Sequence, residues 1–207
     1  MATNNGSIRK RPSVRQVRQA AGISEPKSAI ALLKADHREV EELFKSFKSA
    51  KSATEKQSLA TKICTALKLH TRIEEEIFYP AYIAATGDKE MHDEALVEHH
   101  GAKALIEEIE SSVAGDPLFD ARIKVLSEMI KHHVKEEERF SGMFIKARVA
   151  QMDLRALGIL LEARKQELTR EPNRRRAKTA PRARGPFMGA AALAREKSVK
   201  LHARRNP

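Results

Sequence analysis

At 207 residues with 41% apolar content, the chain is long enough for one ordinary domain with tails. Aromatic residues make up only 4%, tryptophan is missing, and the 9 Gly and 8 Pro cluster at the ends and between apolar-periodic runs; this leaves little room for a sheet and points to an all-α protein. The net charge of +11 is unevenly placed, with +4 in residues 1–26, −3 in residues 27–169 and +10 in residues 170–207, so the cations belong to the ends and the central domain is near neutral.

Residues 1–26 hold Asn, Gly, Ser, Pro and scattered Arg without an apolar period, and read as a disordered basic arm. The pattern then changes. Ile30, Leu33, His37, Val40, Phe44 and Phe47 step by three and four, the stripe of an amphipathic helix over about 27–50. Thr54-Glu55-Lys56-Gln57 has the form of a capping box for a second helix, whose stripe is Leu59, Ile63, Leu67, His70, Glu74, Ile77 and Phe78. Pro80 is expected to kink or end it. Gly87-Asp88 reads as a turn and cap. A third helix to about Ala114 turns Ala95, His99, Ala102, Ile106, Ile109 and Val113 inward, and Gly115 stops it. Asp116-Pro117 is expected to start the fourth helix as N-cap and first helical residue. Its inward face is Phe119, Ile123, Leu126, Ile130, His133, Glu137 and Phe140.

Short connections between long helices predict antiparallel neighbours, hence an up-down-up-down four-helix bundle over residues 27–150. An additional helix over 151–169 carries Leu154, Leu157, Leu161 and Leu168, and either packs across the bundle or offers a surface for a homo-oligomer. Residues 170–207 read as a basic disordered tail, with a short basic helix patterned over 187–203. Its Arg174-Arg175-Arg176 run, with Lys178, Arg182 and Arg184, is of the kind that neutralises phosphates without reading sequence. Non-specific nucleic acid is the expected partner of that tail, and a solvated end without a partner is the equal alternative.

No apolar run is long enough to span a membrane, and no apolar stretch follows the N-terminal cations as a secretory signal requires. A mitochondrial-type address is the alternative reading of that Arg-rich start. Cys64 stands alone, which excludes an internal disulfide, fits a reducing cytoplasm and reads as a small buried hydrophobe.

Each of the four bundle helices puts a histidine on its apolar stripe. In three of them a glutamate follows four residues on: His37/Glu41, His70/Glu74 and His133/Glu137. The third helix contributes His99. A spacing of four puts both side chains on one helix face, about 6 Å apart along the axis. A lone histidine on such a face is usually a core residue. A buried glutamate is different, because burying a carboxylate costs several kcal/mol unless it is paired or bound to a metal. Buried His–Glu pairs would account for each pair but not for three in phase. Imidazole and bridging carboxylate together suit non-haem iron. Zinc sites favour His-Glu-xx-His, three histidines or cysteines, and none of these patterns is present. The candidate ligands are therefore His37, Glu41, His70, Glu74, His99, His133 and Glu137, for a pair of irons, with manganese or a mixed pair as the alternative. Phase with the stripes selects His99 over His100 and His133 over His132. His92 is expected near the site without ligating, and Tyr79 and Tyr82 are read as helix-end packing.

The stretches Leu33-Lys34-Ala35-Asp36-His37, His70-Thr71-Arg72-Ile73-Glu74-Glu75-Glu76-Ile77-Phe78-Tyr79-Pro80, Val97-Glu98-His99 and His133-Val134-Lys135-Glu136-Glu137 resemble the hemerythrin HHE cation-binding family over about residues 28–148. The resemblance implies a di-iron site in a four-helix bundle. In it His70 and His133 would be terminal ligands, Glu74 and Glu137 bridging ones, and His37 and His99 would come from the first and third helices. Members of the family bind dioxygen, handle nitric oxide or peroxide, or sense iron and oxygen. Two departures stand out. Oxygen carriers have His-xxx-His on the third helix, whereas Ala95 lies four before His99. The fourth helix has Glu137 at spacing four, where the carriers have an acid at spacing five. A site of four His and three Glu, with Glu41 as the extra carboxylate, would lower the iron potential and weaken reversible carriage. The expected function is redox handling of dioxygen, peroxide or nitric oxide. An iron or oxygen sensor acting through a partner, or a DNA-associated iron-sequestering stress protein, is the alternative.

Overall fold

The structure, a computed structural model, describes residues 27–179, with side chains through residue 170. The expected N-terminal arm over 1–26 and the tail beyond 179 lie outside the described residues. Contacts among the described residues divide the chain into one compact unit ending at Thr169 and a second one following it.

The first unit is built from helices alone. α1 (Ala29–Ser49) is capped by Ser28, whose hydroxyl accepts from the Ala31 N–H. α2 (Ala53–Ile73) is capped by Ser52, which accepts from the Glu55 N–H, while the Glu55 carboxylate takes the Lys51 N–H. The cap is thus Ser52, two residues earlier than the pattern at Thr54 suggested, and Glu55 reaches back one residue beyond it. α2 runs into a π-helical turn at Glu74–Phe78 and then α3 (Tyr79–Thr86), so Pro80 interrupts the ladder without ending the helix. Pro80 lacks the N–H that would bond Glu76, and its ring crowds that carbonyl; the widened turn just before it accommodates both. Gly87, at φ 68°, closes α3 in the left-handed conformation, and Asp88 caps α4 (Lys89–Glu110).

α5 (Phe119–Glu138) starts later than Asp116-Pro117 suggested. Its N-cap is Leu118, held at φ 70°. Asp116 instead accepts the Val113 N–H and so closes the turn after α4. The side chain can satisfy either end of the connection, and the tertiary path of the loop decides which. For the same reason two expected inward positions are exposed: Val113 lies beyond the end of α4 and Phe140 beyond the end of α5, at 61% and 92% exposure. α6 (Met143–Val149) and α7 (Leu154–Thr179) follow.

α1 packs on α2, α2 on α4, α4 on α5 and α5 back on α1, which closes a four-helix bundle. Two apolar clusters occupy its two ends. Val40, Phe44 and Phe47 meet Ile63, Leu67, Ile106, Ile109, Ile123 and Leu126 in one of them. Ile30, Leu33, Ile73, Phe78, Tyr82 and Phe144 meet in the other, together with Leu161 and Leu168 of α7. The pairing of early α1 with late α2, and of late α4 with early α5, is the antiparallel order expected. The additional helix packs on the bundle: a Cβ on Gly158 would fall 2.1 Å from the Lys27 carbonyl oxygen, so only glycine permits that approach. No helix among the described residues is long and apolar enough to cross a membrane. Cys64 is buried in the first cluster, where burial pushes its thiol up to about 11.

Candidate metal centre

Between the two apolar clusters lies one polar layer. His37 comes from α1, His70 from α2, Glu74 from the π turn, His99 from α4, and His133 and Glu137 from α5; all six are at most 4% exposed. His37 and His70 face each other with Nε2 atoms 3.1 Å apart, and His99 and His133 do the same at 3.3 Å. The two glutamates sit between these imidazole pairs. Glu74 Oε2 is 3.1 Å from His70 Nε2 and 3.5 Å from His99 Nε2. Glu137 reaches His37 Nε2 with Oε2 at 3.4 Å and His133 Nε2 with Oε1 at 3.7 Å.

The structure thus brings together six of the seven candidate ligands, in two overlapping groups: His37, His70, Glu74 and Glu137, and Glu74, His99 and His133. Glu41 does not join them. Its carboxylate is 39% exposed and pairs with Arg38 at 3.4 Å and Lys45 at 3.3 Å. It shares a helix with His37 but lies on the side of the stripe that turns to water. His132 is likewise outward, 60% exposed, and His92 bonds Asp93 at 2.9 Å.

Three imidazoles are held from behind by carboxylates. Nδ1 of His37 is 2.8 Å from Glu138, Nδ1 of His99 is 2.9 Å from Glu75, and Nδ1 of His133 is 2.7 Å from Glu98. Such partners fix the tautomer, with Nδ1–H outward and the Nε2 lone pair inward, and raise the basicity of the ring. Cations secure the outer carboxylates in turn: Lys34 and Arg38 on Glu138, and Lys103 on Glu75 at 2.6 Å. Behind His70 stands Asp36, anchored by Lys165 of α7 at 2.6 Å, with its other oxygen 3.7 Å from His70 Nδ1. Sequence reasoning passed over this outer ring. Its signal was present, since Asp36, Glu75, Glu98 and Glu138 each stand immediately beside a candidate ligand or its neighbour.

Tyr79, expected from the sequence to be helix-end packing, is instead part of the layer. Its ring is fully buried and its hydroxyl stands inside the layer, 3.1 Å from Glu137 Oε1, 3.2 Å from His99 Nε2 and 3.4 Å from Glu74 Oε2. In a regular α-helix a residue five beyond Glu74 would point elsewhere. The π turn closes i to i+5, as in the Tyr79 N–H to Glu74 carbonyl bond, and so stacks the two on one face. Tyr82 does pack at a helix end, donating to Asp88 at 2.8 Å.

The electrostatics are those of a cation site. Burial alone would depress the His37 and His99 imidazoliums. The adjacent carboxylates, Glu137 and Glu138 at His37 and Glu74 and Glu75 at His99, outweigh it and hold each at about 9. Burial would raise Glu137, but the charges of His133 and His37 hold it well below the carboxylate range. Burial and the charges of Glu137 and Glu74 push the Tyr79 phenol well above its ordinary value. Glu74 Oε1 and Glu137 Oε2 are buried without a hydrogen-bond partner. Converging imidazoles and orphaned carboxylate oxygens fit bound metal ions, the state in which these lone pairs would be used.

Comparisons with known proteins agree with this geometry. Residues 28–140 match the Hemerythrin HHE cation binding domain, more than half of the chain, and the protein belongs to that family. The crystal structure of a hemerythrin HHE cation binding domain-containing protein from Mycobacterium kansasii superposes with a TM-score of 0.60 at 24% identity, over 76% of this chain and 96% of that one, and shows the same fold. A DNA nickase of Nostoc sp. is 27% identical over 110 residues, which are 52% of this chain and 30% of that protein. The chain therefore spans less than a third of the length of the curated relative it matches.

Proposed function

We propose that this protein binds a pair of non-haem irons and handles dioxygen, peroxide or nitric oxide in redox or stress chemistry. The observation that carries the reading is the pair of imidazole pairs with Glu74 and Glu137 between them. His37 and His70 would hold one ion and His99 and His133 the other, with the two glutamates shared. Iron bound there supplies one-electron redox chemistry toward small oxygen and nitrogen species.

The chain's own residues define what reaches that chemistry. A cavity of about 10 Å³, bounded by the four histidines with Val40, Leu67, Ile130 and Val134, has room for about one water-sized guest. A groove of about 280 Å³ between α1 and α5 runs over Phe44, Ile130 and Val134 and meets the site at His37. Its floor is apolar, its walls carry Arg38, Glu41, Lys131, Lys135 and Glu138, and the small cavity admits only small species. With Glu41 outside the site, four imidazoles and two glutamates carry the same charge as a carrier's five imidazoles and two carboxylates. The expected extra carboxylate is therefore missing, and what separates this donor set from a carrier's is the imidazole that Ala95 does not supply.

Elemental analysis after anaerobic ferrous loading should find two irons per chain, and oxygen or peroxide should then oxidise the protein irreversibly. Zinc alone, or no metal, would overturn the assignment. Repeated oxygenation and deoxygenation with the same spectrum would establish carriage instead.

A second reading rests on separate observations. The +10 charge of residues 170–207 and the similarity to a protein named as a DNA nickase favour association with DNA. Contact would run through phosphates, without sequence preference.

A further inference from the structure

The two halves of the metal layer are not equivalent, and Tyr79 makes the difference. The His37/His70 half is formed by two imidazoles and the shared glutamates, and the surface groove arrives there. The His99/His133 half has its own two imidazoles with Glu74, Glu137 Oε1 3.7 Å from His133 Nε2 and, in addition, the Tyr79 hydroxyl. We propose, building on the di-metal reading of the site, that Tyr79 is a fifth protein ligand to the ion at the His99/His133 half, closing that half and leaving the His37/His70 half as the one where external molecules bind.

The spacing supports it. Two atoms bound at right angles to a first-row ion, each at about 2.1 Å, lie roughly 3 Å apart. Tyr79 Oη stands 3.2 Å from His99 Nε2, 3.1 Å from Glu137 Oε1 and 3.4 Å from Glu74 Oε2, while His99 and His133 are 3.3 Å apart. These are the edges of one coordination sphere.

The surroundings support it too. A phenol donates one hydrogen bond, yet this oxygen faces two carboxylate oxygens, so one of them is left without its proton. Paired carboxylate acceptors around a fully buried oxygen are relieved by a cation. Ligation replaces the phenol O–H bond by an O–metal bond, and the proton passes to solvent. The π turn gives the arrangement a structural origin, because without it Tyr79 would not share a face with Glu74.

The chain has only two tyrosines, so a phenolate signal is assignable. The full chain, loaded with ferrous iron and oxidised, should show a visible phenolate-to-iron charge-transfer band. Resonance Raman excitation within that band should enhance phenolate ring modes. Tyr79→Phe should lose both, retaining its iron and helical circular dichroism, and Tyr82→Phe should keep both. Iron-loaded wild type without phenolate modes, or Tyr79→Phe with them, overturns the inference. If Tyr79→Phe does not load, persistence of the modes in Tyr82→Phe still assigns them to Tyr79, and their loss there overturns it. Wild type that binds no iron refutes the di-metal reading itself, so the two failures are distinct.

Discussion

At the scale of single residues, the layer separates groups that look alike in the chain. Glu41, Glu74 and Glu137 all stand four beyond a histidine, yet only the latter two are buried between imidazole pairs. Each of these faces both halves of the layer, so Glu74→Ala or Glu137→Ala should abolish most of the iron binding. Glu41→Ala should leave it unchanged, because Glu41 is engaged with Arg38 and Lys45 outside the site. Glu136→Ala should be mild as well, since its partner is Arg139 at 2.8 Å on the outer face. Iron per chain, measured on the four variants side by side, checks this; comparable losses at Glu41 and Glu137 would contradict the geometry.

At the scale of elements, Asp88 ties three helices together. It caps α4 through the Met91 N–H, accepts the Tyr82 hydroxyl from α3 and pairs with Lys146 of α6 at 2.6 Å. Asp88→Ala should therefore destabilise the fold by about 1–2 kcal/mol, the ordinary cost of losing an N-cap. Asp88→Asn should cost less, since asparagine also caps. The Lys146 hydrogen bond first, and the Tyr82 hydroxyl after it, hold Asp88 below its ordinary 3.8 against the opposing effect of burial. A depressed carboxylate contributes stability that is full above the unfolded value and is lost as pH falls through the folded one. The gap in melting temperature between wild type and Asp88→Asn should accordingly be widest near neutrality and close below pH 3.8. A gap independent of pH would show that the ion pair contributes nothing.

At the scale of the whole molecule, α7 is part of the domain. Leu161 and Leu168 are buried against α1 and the α3–α6 end of the bundle, and Lys165 anchors the Asp36 that stands behind His70. The first compact unit ends at Thr169, and most of the cationic charge follows it. Removing residues 170–207 should leave melting temperature and iron content nearly unchanged. Removing residues 154–207 should lower both. DNA binding should weaken steeply with salt in the full chain and largely disappear in the chain ending at residue 169. Gel-shift titrations at two salt concentrations, with calorimetry of the three chains, test these outcomes. Unfolding of the chain ending at residue 169 would place the domain boundary further on.

Periodicity alone determined a good deal here. Stripes at spacings of three and four depend only on the 3.6-residue turn, so the bundle helices, their order and the inward phase of His37, His70, His99 and His133 could be read directly. Short connections implied antiparallel packing for the same local reason. What periodicity cannot carry is the angle within a stripe, and Glu41 shows it: one position off the centre of the buried arc is enough to reach water. Nor can it carry a break in the repeat. The π turn at Glu74–Phe78 changes which residues share a face, so Tyr79 entered the layer although the α-helical pattern placed it elsewhere. The outer ring of Asp36, Glu75, Glu98 and Glu138 was hidden for a third reason. Each of these carboxylates looks like an ordinary solvated charge in the chain, and three of them reach a histidine on a different helix from their own, as Glu138 does to His37 across 101 residues. Which charge stands behind which imidazole is a property of helices packed side by side, and only the tertiary structure decides it.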